Sequence, residues 1–536
     1  MRSKLFALIF ICFCTLPIVS QAQITERERP SEWDSLALGG RFMDRFMPMP
    51  IMGKLTSDTW GAANTVPRYI DNGLENNKYS YWGGNAVLGE DGKYHLFVCG
   101  WREDSPKGHM YWSKSTVFHA VAENSFGPYT VKDSIGPGHN PEVFQLGDGR
   151  YVIYVMNAYY ISNNLDGPWT KSEFEFDPRD RKIIEGLSNL SFARREDSSY
   201  LMVCRGGGIW FSETGISPYY QITDKRVYPP VDGNFEDPVV WRTNIQYHMI
   251  VNDWRGRIAY YLRSKDGIKW KVDPGEAYMP GLAKYEDGTK VDWFKYERIK
   301  VLQDSYGRAS QAHFAVIDTI KWNDLENDNH SSKHIIIPLK KGRLISIPDE
   351  KPITNKTREI RLKIEHEDGF DPQKDIDLKS LRLGAPDLVN YGKGCTVLAS
   401  EPIGKDLMVT FSGVGNGIDQ NNFTAKLIGK TNDGDWIFGY SRLPGVKYLE
   451  PALSVRNPIL KRDENQTTID VEVQNFGQVD SKRNIVYILS VKNNQRFRIA
   501  SRIVGKLAPF EKITLKIPIS PNTKIGKKPE LRAVVR

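Results

Sequence analysis

Four stretches of the 536-residue chain read as apolar strand, turn, apolar strand: NAVLGEDGKYHLFVCGW from Asn85, NPEVFQLGDGRYVIYVMN from Asn140, NLSFARREDSSYLMVCRG from Asn189 and DPVVWRTNIQYHMIVNDW from Asp237. A looser fifth, RIKVLQDSYGRASQAHFAVID, starts at Arg298. The tyrosines after the turns, Tyr94, Tyr151, Tyr200 and Tyr247, lie 57, 49 and 47 residues apart, which is the scale of one propeller blade. A second mark follows each of the first four hairpins: YWSKS from Tyr111, YISNNLDGPW from Tyr160, WFSETGISPY from Trp210 and YLRSKDGIKW from Tyr261. It places Ser113, Ser162, Ser212 and Ser264 at intervals of 49, 50 and 52 residues, in tracts that alternate as third strands do. A hairpin with a third and fourth strand, repeated five times, predicts a five-bladed β-propeller over 80–352. Unrelated β-sandwiches would have no reason to keep both marks in register.

The rest of the chain divides around this repeat. The fold class expected is all-β, a five-bladed propeller followed by two small β-sandwich domains. The 13 Trp, 25 Tyr and 23 Phe, with 45 Gly and 30 Pro, suit pleated surfaces and frequent turns. Arg2 and Lys4 precede an apolar run from Leu5 to Val19 and a small-residue site at Ser20-Gln21-Ala22, so residues 1–22 read as a secretory signal cleaved near Ala22. The product is expected to be periplasmic or secreted, with no membrane insertion after cleavage. Residues 23–79 form an N-terminal extension, 353–449 alternate as a sandwich does, and 450–536 form a last unit in which Asn465 begins an N-x-T sequon. Cys99, Cys204 and Cys395 lack ligand spacing and read as buried free thiols. The formal charge of +8, or +6 without Arg2 and Lys4, is spread along the chain, which argues against a nucleic-acid partner and tolerates an acidic polysaccharide.

Propeller topology brings the starts of innermost strands and the ends of second strands to one mouth, and carries turn residues such as Glu90, Asp91 and Asp148 away from it. The inner-strand starts read Trp82-Gly-Gly-Asn85, His139-Asn140, Ser188-Asn189, Glu236-Asp237 and Glu297-Arg298. Such polar groups are costly to bury unless they meet each other, water or a ligand, so they mark either a site or struts between blades. Second-strand ends add Trp101-Arg102, Arg205 and Trp254-Arg255. The two Trp-Arg pairs suit a sugar platform with a cationic grip, or equally packing between blades.

Five blades, the Glu-Asp-Pro at an inner-strand start, the DGKYHLF hairpin and the SNNLDGPW third strand resemble the five-bladed glycoside hydrolases, families 43, 32, 62, 117 and 130 and their unclassified relatives. The arrangement is most similar to family 117, which acts on 3,6-anhydrogalactosides of red-algal polysaccharides. That resemblance implies acidic site residues in the first, fourth and fifth blades, and Asp237 and Glu297 suit the last two. The chain departs from family 43 by presenting Asn85, Asn140 and Asn189 where that family's carboxylates are expected, and an amide cannot take a proton as a carboxylate does. Glu185, in IIEGLSN, is a reserve acid. The tract with QNFGQ and LAPFEKITLKI resembles CARDB-type immunoglobulin-like modules.

The expected function is a glycoside hydrolase acting on oligosaccharides from a complex algal or plant polysaccharide, neutral or anionic. Glu236 is expected to be the proton donor, Glu297 the base or water holder and Asp237 the orienter, with His139 as the alternative acid. Trp82, Asn85, Trp101, Arg102, Asn140, Asn189, Arg205, Trp254, Arg255 and Arg298 are the expected sugar-binding residues. No cofactor or catalytic metal is called for, and a structural ion in the propeller channel stays open. Two rivals remain: a sugar-binding propeller without catalysis, and a polysaccharide lyase using His139.

Overall fold

The structure, a computed structural model, describes residues 24–57, 66–184, 186–291, 293–328, 330–464, 466–493, 495–523, 525–526 and 529–535. The expected signal peptide with its cleavage near Ala22, the reserve acid Glu185 and the sequon residue Asn465 lie outside the described residues.

Five antiparallel sheets follow one another in chain order, and their innermost strands form a ring in which blades two and three are joined by Asn140 donating to Asn189 and Phe192 N–H donating to Glu142. Blade one consists of Tyr79–Leu88, Tyr94–Arg102, Thr116–Ala122 and Thr130–Pro137. Blade two consists of Glu142–Gln145, Tyr151–Val155, Ala158–Ser162 and Thr170–Ser172. Blade three consists of Ser191–Arg194, Tyr200–Val203, Ile209–Ser212 and Tyr219–Gln221, with Phe176–Asp177 added in parallel at its outer edge. Blade four consists of Phe235–Arg242, Tyr247–Asp253, Ile258–Ser264 and Lys271–Tyr278. Blade five has three long strands, Lys295–Gln303, Ala309–Ile317 and Ser332–Pro338.

The four repeated tyrosines open the second strands, and each pairs with the last residue of the third strand: Tyr151 with Ser162, Tyr200 with Ser212, Tyr247 with Ser264. Each serine hydroxyl accepts a backbone N–H of the following turn, from Asn164, Gly215 and Gly267 respectively. Satisfying a turn donor in this way is the physical reason the mark recurs. In blade one the partner of Tyr94 is Ala122, not Ser113. The YWSKS tract lies instead in a 3₁₀ segment, Gly108–Lys114, within an insertion ahead of the third strand. The spacing of Ser113 was therefore coincidental, and the matching turn is the later NSFGPY.

Ring closure relies on the chain ahead of blade one. Leu74 bridges to His334 at the outer edge of blade five, and Asn72 donates to and accepts from the backbone of Ile336 at 2.9 Å each. An added Cβ at Gly73 would stand 2.2 Å from the His334 carbonyl oxygen, so this approach requires glycine. Further upstream the extension crosses blade four, where Arg27 pairs with Asp253 at 2.6 Å and Arg29 and Arg41 pair with Glu276.

Two sandwiches follow. The first begins at Arg343–Ser346, earlier than the boundary at 353, because this short strand pairs with Trp436–Arg442 and Glu359–Ile364 and so joins the two sheets. Its core includes Leu362, Leu383, Val409, Phe411 and Leu427. The second is built around Ile469, Val471, Val473, Val486 and Ile488. It docks on blade three, where Arg179 donates to Glu472 and Gln474 and Arg195 donates to the Phe476 carbonyl. Cys99, Cys204 and Cys395 are buried and unpaired, as expected.

Asn72→Ala removes both side-chain bonds to Ile336 and leaves buried backbone groups unsatisfied. It should destabilise the protein by ~1–3 kcal/mol in urea unfolding. A change indistinguishable from zero would mean that this segment does not close the ring.

Candidate active site

Each inner strand starts with the same bulge. In blades one, four and five, Trp82 pairs with Cys99 and Asn85 with Phe97, Glu236 with Asn252 and Val239 with Ile250, Glu297 with Ala315 and Lys300 with His313. Two residues of the inner strand thus oppose one of its partner. Blades two and three repeat the register, with Met156 N–H donating to the His139 carbonyl and Arg205 N–H to that of Ser188. Three levels follow. Trp82, His139, Ser188, Glu236 and Glu297 stand at the mouth. Gly83, Asn140, Asn189, Asp237 and Arg298 occupy the bulge with φ of 65, 55, 51, 56 and 53°. Asn85, Glu142, Ser191, Val239 and Lys300 lie one step deeper in the channel.

This register corrects the alignment of Asn85 with Asn140 and Asn189. The blade-one counterpart of those asparagines is Gly83, and Asn85 lies below it. Its amide donates to Val143 O at 3.0 Å and accepts from Val143 N at 2.8 Å, so it straps blade one to blade two rather than facing sugar. Glu142 and Ser191 act alike, accepting the backbone N–H of Phe192 and Val240. Asn140 and Asn189 are also struts. Asn140 donates to Asn189 at 2.8 Å, and Asn189 donates to Asp237 Oδ1 at 2.9 Å, so their amides serve Asp237 before any ligand. The channel holds two buried cations of the chain itself: Arg298, bound to Asp237 at 3.0 Å, and Lys300, bound to Glu142.

All five mouth residues line one cavity of about 330 Å³, together with Trp112, Trp254 and Trp322. Its carboxylates sit in different surroundings. Asp237 is 2% exposed; burial would raise its pKa, but the charges of Arg298 and Lys321 outweigh this and hold it below the usual carboxylate range. Glu236 carries one partner, the half-exposed Arg205 at 2.7 Å, and is pushed up to about 7 by burial first and by the Asp237 charge second. Glu297 is buried between two ammonium groups, Lys321 on one oxygen and Lys295 at 3.4 Å from the other. One acid that holds its proton near neutrality thus faces one salt-bridged carboxylate on the neighbouring strand.

His139 does not fit the role of alternative acid. Ser115 and Cys99, which flank its Nδ1 at 3.0 and 3.4 Å, donate their own protons to backbone carbonyls, so Nδ1 carries the hydrogen. Burial, then Arg298 and Lys321, lower its pKa to about 3, so the imidazole is neutral at pH 7. Its neighbour Trp112 packs against it with ring centres 4.9 Å apart and planes tilted by 40°. The two Trp-Arg pairs occupy equivalent positions but diverge. Trp254 lines the cavity, whereas Trp101 is 3% exposed behind His109. Arg102 points away and is paired with Asp104, and Arg255 lines a neighbouring groove beside Trp254. Arg205 and Trp82 do line the site, and the Lys321 ammonium lies 4.9 Å from the Trp82 ring.

Several site residues were not expected from the sequence. Lys321 and Trp322 come from the long connection between the second and third strands of blade five, and His109 and Trp112 from the blade-one insertion. Both segments lie outside the repeat, and the only local signal is aromatic residues next to lysine in IKWND and MYWSK.

No protein-family model and no curated protein matches the sequence. Among solved structures, the chain is similar to an α-L-arabinofuranosidase from Lactobacillus brevis, at 13% identity over 48% of this chain and 90% of that one, with a TM-score of 0.32. It is also similar to a family-43 glycoside hydrolase protein from Bacillus licheniformis, at 9% identity over 85% and 97% of the two chains and a TM-score of 0.31. A mannose phosphorylase from Leishmania mexicana aligns at 12% identity over 54% and 88%, with a TM-score of 0.28. At these TM-scores the likeness carries no argument about chemistry, which rests on the site itself.

Two variants separate site from strut. Because the pKa of Glu236 is raised on folding, its stabilising contribution is full below about pH 4.5 and is lost as pH rises through about 7. Glu236→Gln should therefore melt ~2–4 °C above the parent at pH 8 and gain nothing at pH 4. A pH-independent difference would contradict the assigned environment. Asn85→Ala should cost ~1–3 kcal/mol in stability and leave substrate affinity unchanged, as calorimetric titration would show.

Proposed function

We propose that the chain is a glycoside hydrolase acting on oligosaccharides of a complex, acidic polysaccharide of algal or plant origin. The observation that carries this reading is the pairing of Glu236 and Glu297 at equivalent mouth positions of adjacent blades, in opposite electrostatic surroundings. Glycoside hydrolysis needs one protonated carboxyl to give its proton to the leaving oxygen and one carboxylate for water or the anomeric carbon. Glu236 fits the first role and Glu297 the second. Asp237, with its oxygens engaged by Asn189 and Arg298, acts through Glu236 by its charge and by fixing the bulge. Trp112, Trp254 and Trp322 offer flat faces for pyranose rings, and Arg205 with Lys321 supports an anionic sugar. The N-terminal sequence supports action outside the cytoplasm, and none of the described residues of the sandwiches lines the cavity.

The test is turnover on a panel of neutral, uronate-bearing and sulfated oligosaccharides. Glu236→Gln and Glu297→Gln should each lower kcat ~10²–10⁴-fold with the fold and substrate affinity kept. In the parent, activity should fall as pH rises through about 7, where Glu236 loses its proton, and this limb should vanish in Glu236→Gln. Turnover within a few-fold of the parent in both variants would contradict the assignment. An unsaturated, ultraviolet-absorbing product would favour elimination instead.

A further inference from the structure

Away from the cavity, a run of side chains crosses the outer part of blade one. Asp91 Oδ1 lies 3.1 Å from His95 Nε2, and His95 Nδ1 lies 2.8 Å from His119 Nε2. On its far side, His119 Nδ1 faces Asp133 Oδ2 at 3.5 Å and Asp166 Oδ1 at 4.0 Å. His119 is 0% exposed, and its Nδ1 is a buried atom without a hydrogen-bond partner. Its ring is held by stacking on Phe97 at 4.8 Å and 8°. Asp133 comes from the outer strand of blade one, directly across from His119, and Asp166 from the turn that ends the third strand of blade two.

Counting protons exposes a deficit. Two neutral imidazoles own two N–H groups, and the series Asp91, His95, His119, Asp133 has three links. If His95 donates to Asp91 and His119 donates to His95, the short links are made and Nδ1 of His119 is left as a lone pair. That lone pair then faces two carboxylates with no hydrogen between them, an arrangement that a bound cation would satisfy. Lys132 reaches Asp166 Oδ1 at 2.6 Å but makes no recorded contact with Nδ1 or Asp133. The long gap is where a metal would sit. Ligand atoms bound at ~2.0–2.2 Å to one zinc ion stand ~3.1–3.6 Å apart, and the Asp133 and Asp166 side chains, 42% and 55% exposed, can close the difference once Asp166 leaves Lys132. His95, accepting the Nε2–H of His119, is the outer partner that fixes a metal-bound imidazole in one tautomer.

We propose that His119, Asp133 and Asp166 form a binding site for a zinc-type divalent metal ion that staples blade one to blade two. None of the three lines the cavity, so the metal is structural and independent of the glycosidase reading. The sequence hides it because the ligands come from separate strands and carry no Cys/His spacing.

The full, tag-free mature chain, stripped with chelator, is titrated with zinc against a chromophoric competitor and with cobalt(II) by visible absorption. One zinc per chain is expected, with a cobalt d–d spectrum and a melting temperature raised by zinc. Asp133→Asn and Asp166→Asn, both at partly exposed positions, should weaken zinc binding by at least ~10-fold and lose the zinc-dependent rise in melting temperature. The proposal is overturned if no saturable binding occurs, or if both variants bind zinc as the parent does. It is also overturned if ¹⁵N NMR shows His119 as an imidazolium that zinc does not displace.

Discussion

The left-handed bulge at the start of every inner strand is the constraint on which the site depends. It turns one residue per blade out of the ladder, so that its side chain bonds sideways to the next blade while the residue before it looks into the mouth. Glycine, asparagine and aspartate take this conformation at low cost, and they fill four of the five positions. Arg298 is the exception. A left-handed conformation costs an ordinary residue ~1–2 kcal/mol, and here the Arg298 backbone N–H is held by Asp237 Oδ2 at 3.1 Å while its guanidinium is held by Oδ1. The strain falls beside Glu297, where geometry matters most.

The same bulges distribute charge. Asp237 lies at the centre of a relay from Asn140 and Asn189 on one side and Arg298 on the other, and remains ionised although fully buried. Glu236, one residue earlier, feels that charge without a comparable partner and keeps its proton. Glu297, one blade on, receives two lysines. Two carboxyl groups on equivalent positions thereby stand in opposite electrostatic surroundings from differences in their neighbours alone.

Much of this was legible in the sequence where local physics repeats. The tyrosines after the turns and the serines that cap the next turn gave the blade register in blades two to four, because each satisfies a recurring backbone need. Blade one misled twice. Its insertion carried a chance YWSKS tract, and its Trp-Gly-Gly-Asn start hid a bulge that moves Asn85 one level down. The pairing of Glu236 with Glu297 followed from topology, and so did Trp82 and Arg205. Lys321, Trp112 and Trp322 did not, since they arrive on long connections whose course depends on tertiary packing. The rim arginines Arg102 and Arg255 stand at or just past the ends of the expected strands, but Arg102 pairs with Asp104 and Arg255 lies over the Trp254 ring at 5.0 Å, lining a neighbouring groove.

The central claim is that Glu236 holds its proton near neutrality because burial and Asp237 disfavour its charge. Direct titration of its side-chain carboxyl by ¹³C NMR, assigned through Glu236→Gln, tests this without any substrate. A midpoint at about 7 is predicted. A midpoint at the ordinary glutamate value of ~4.3 would contradict it, because Glu236 would then be ionised at working pH with no proton to give.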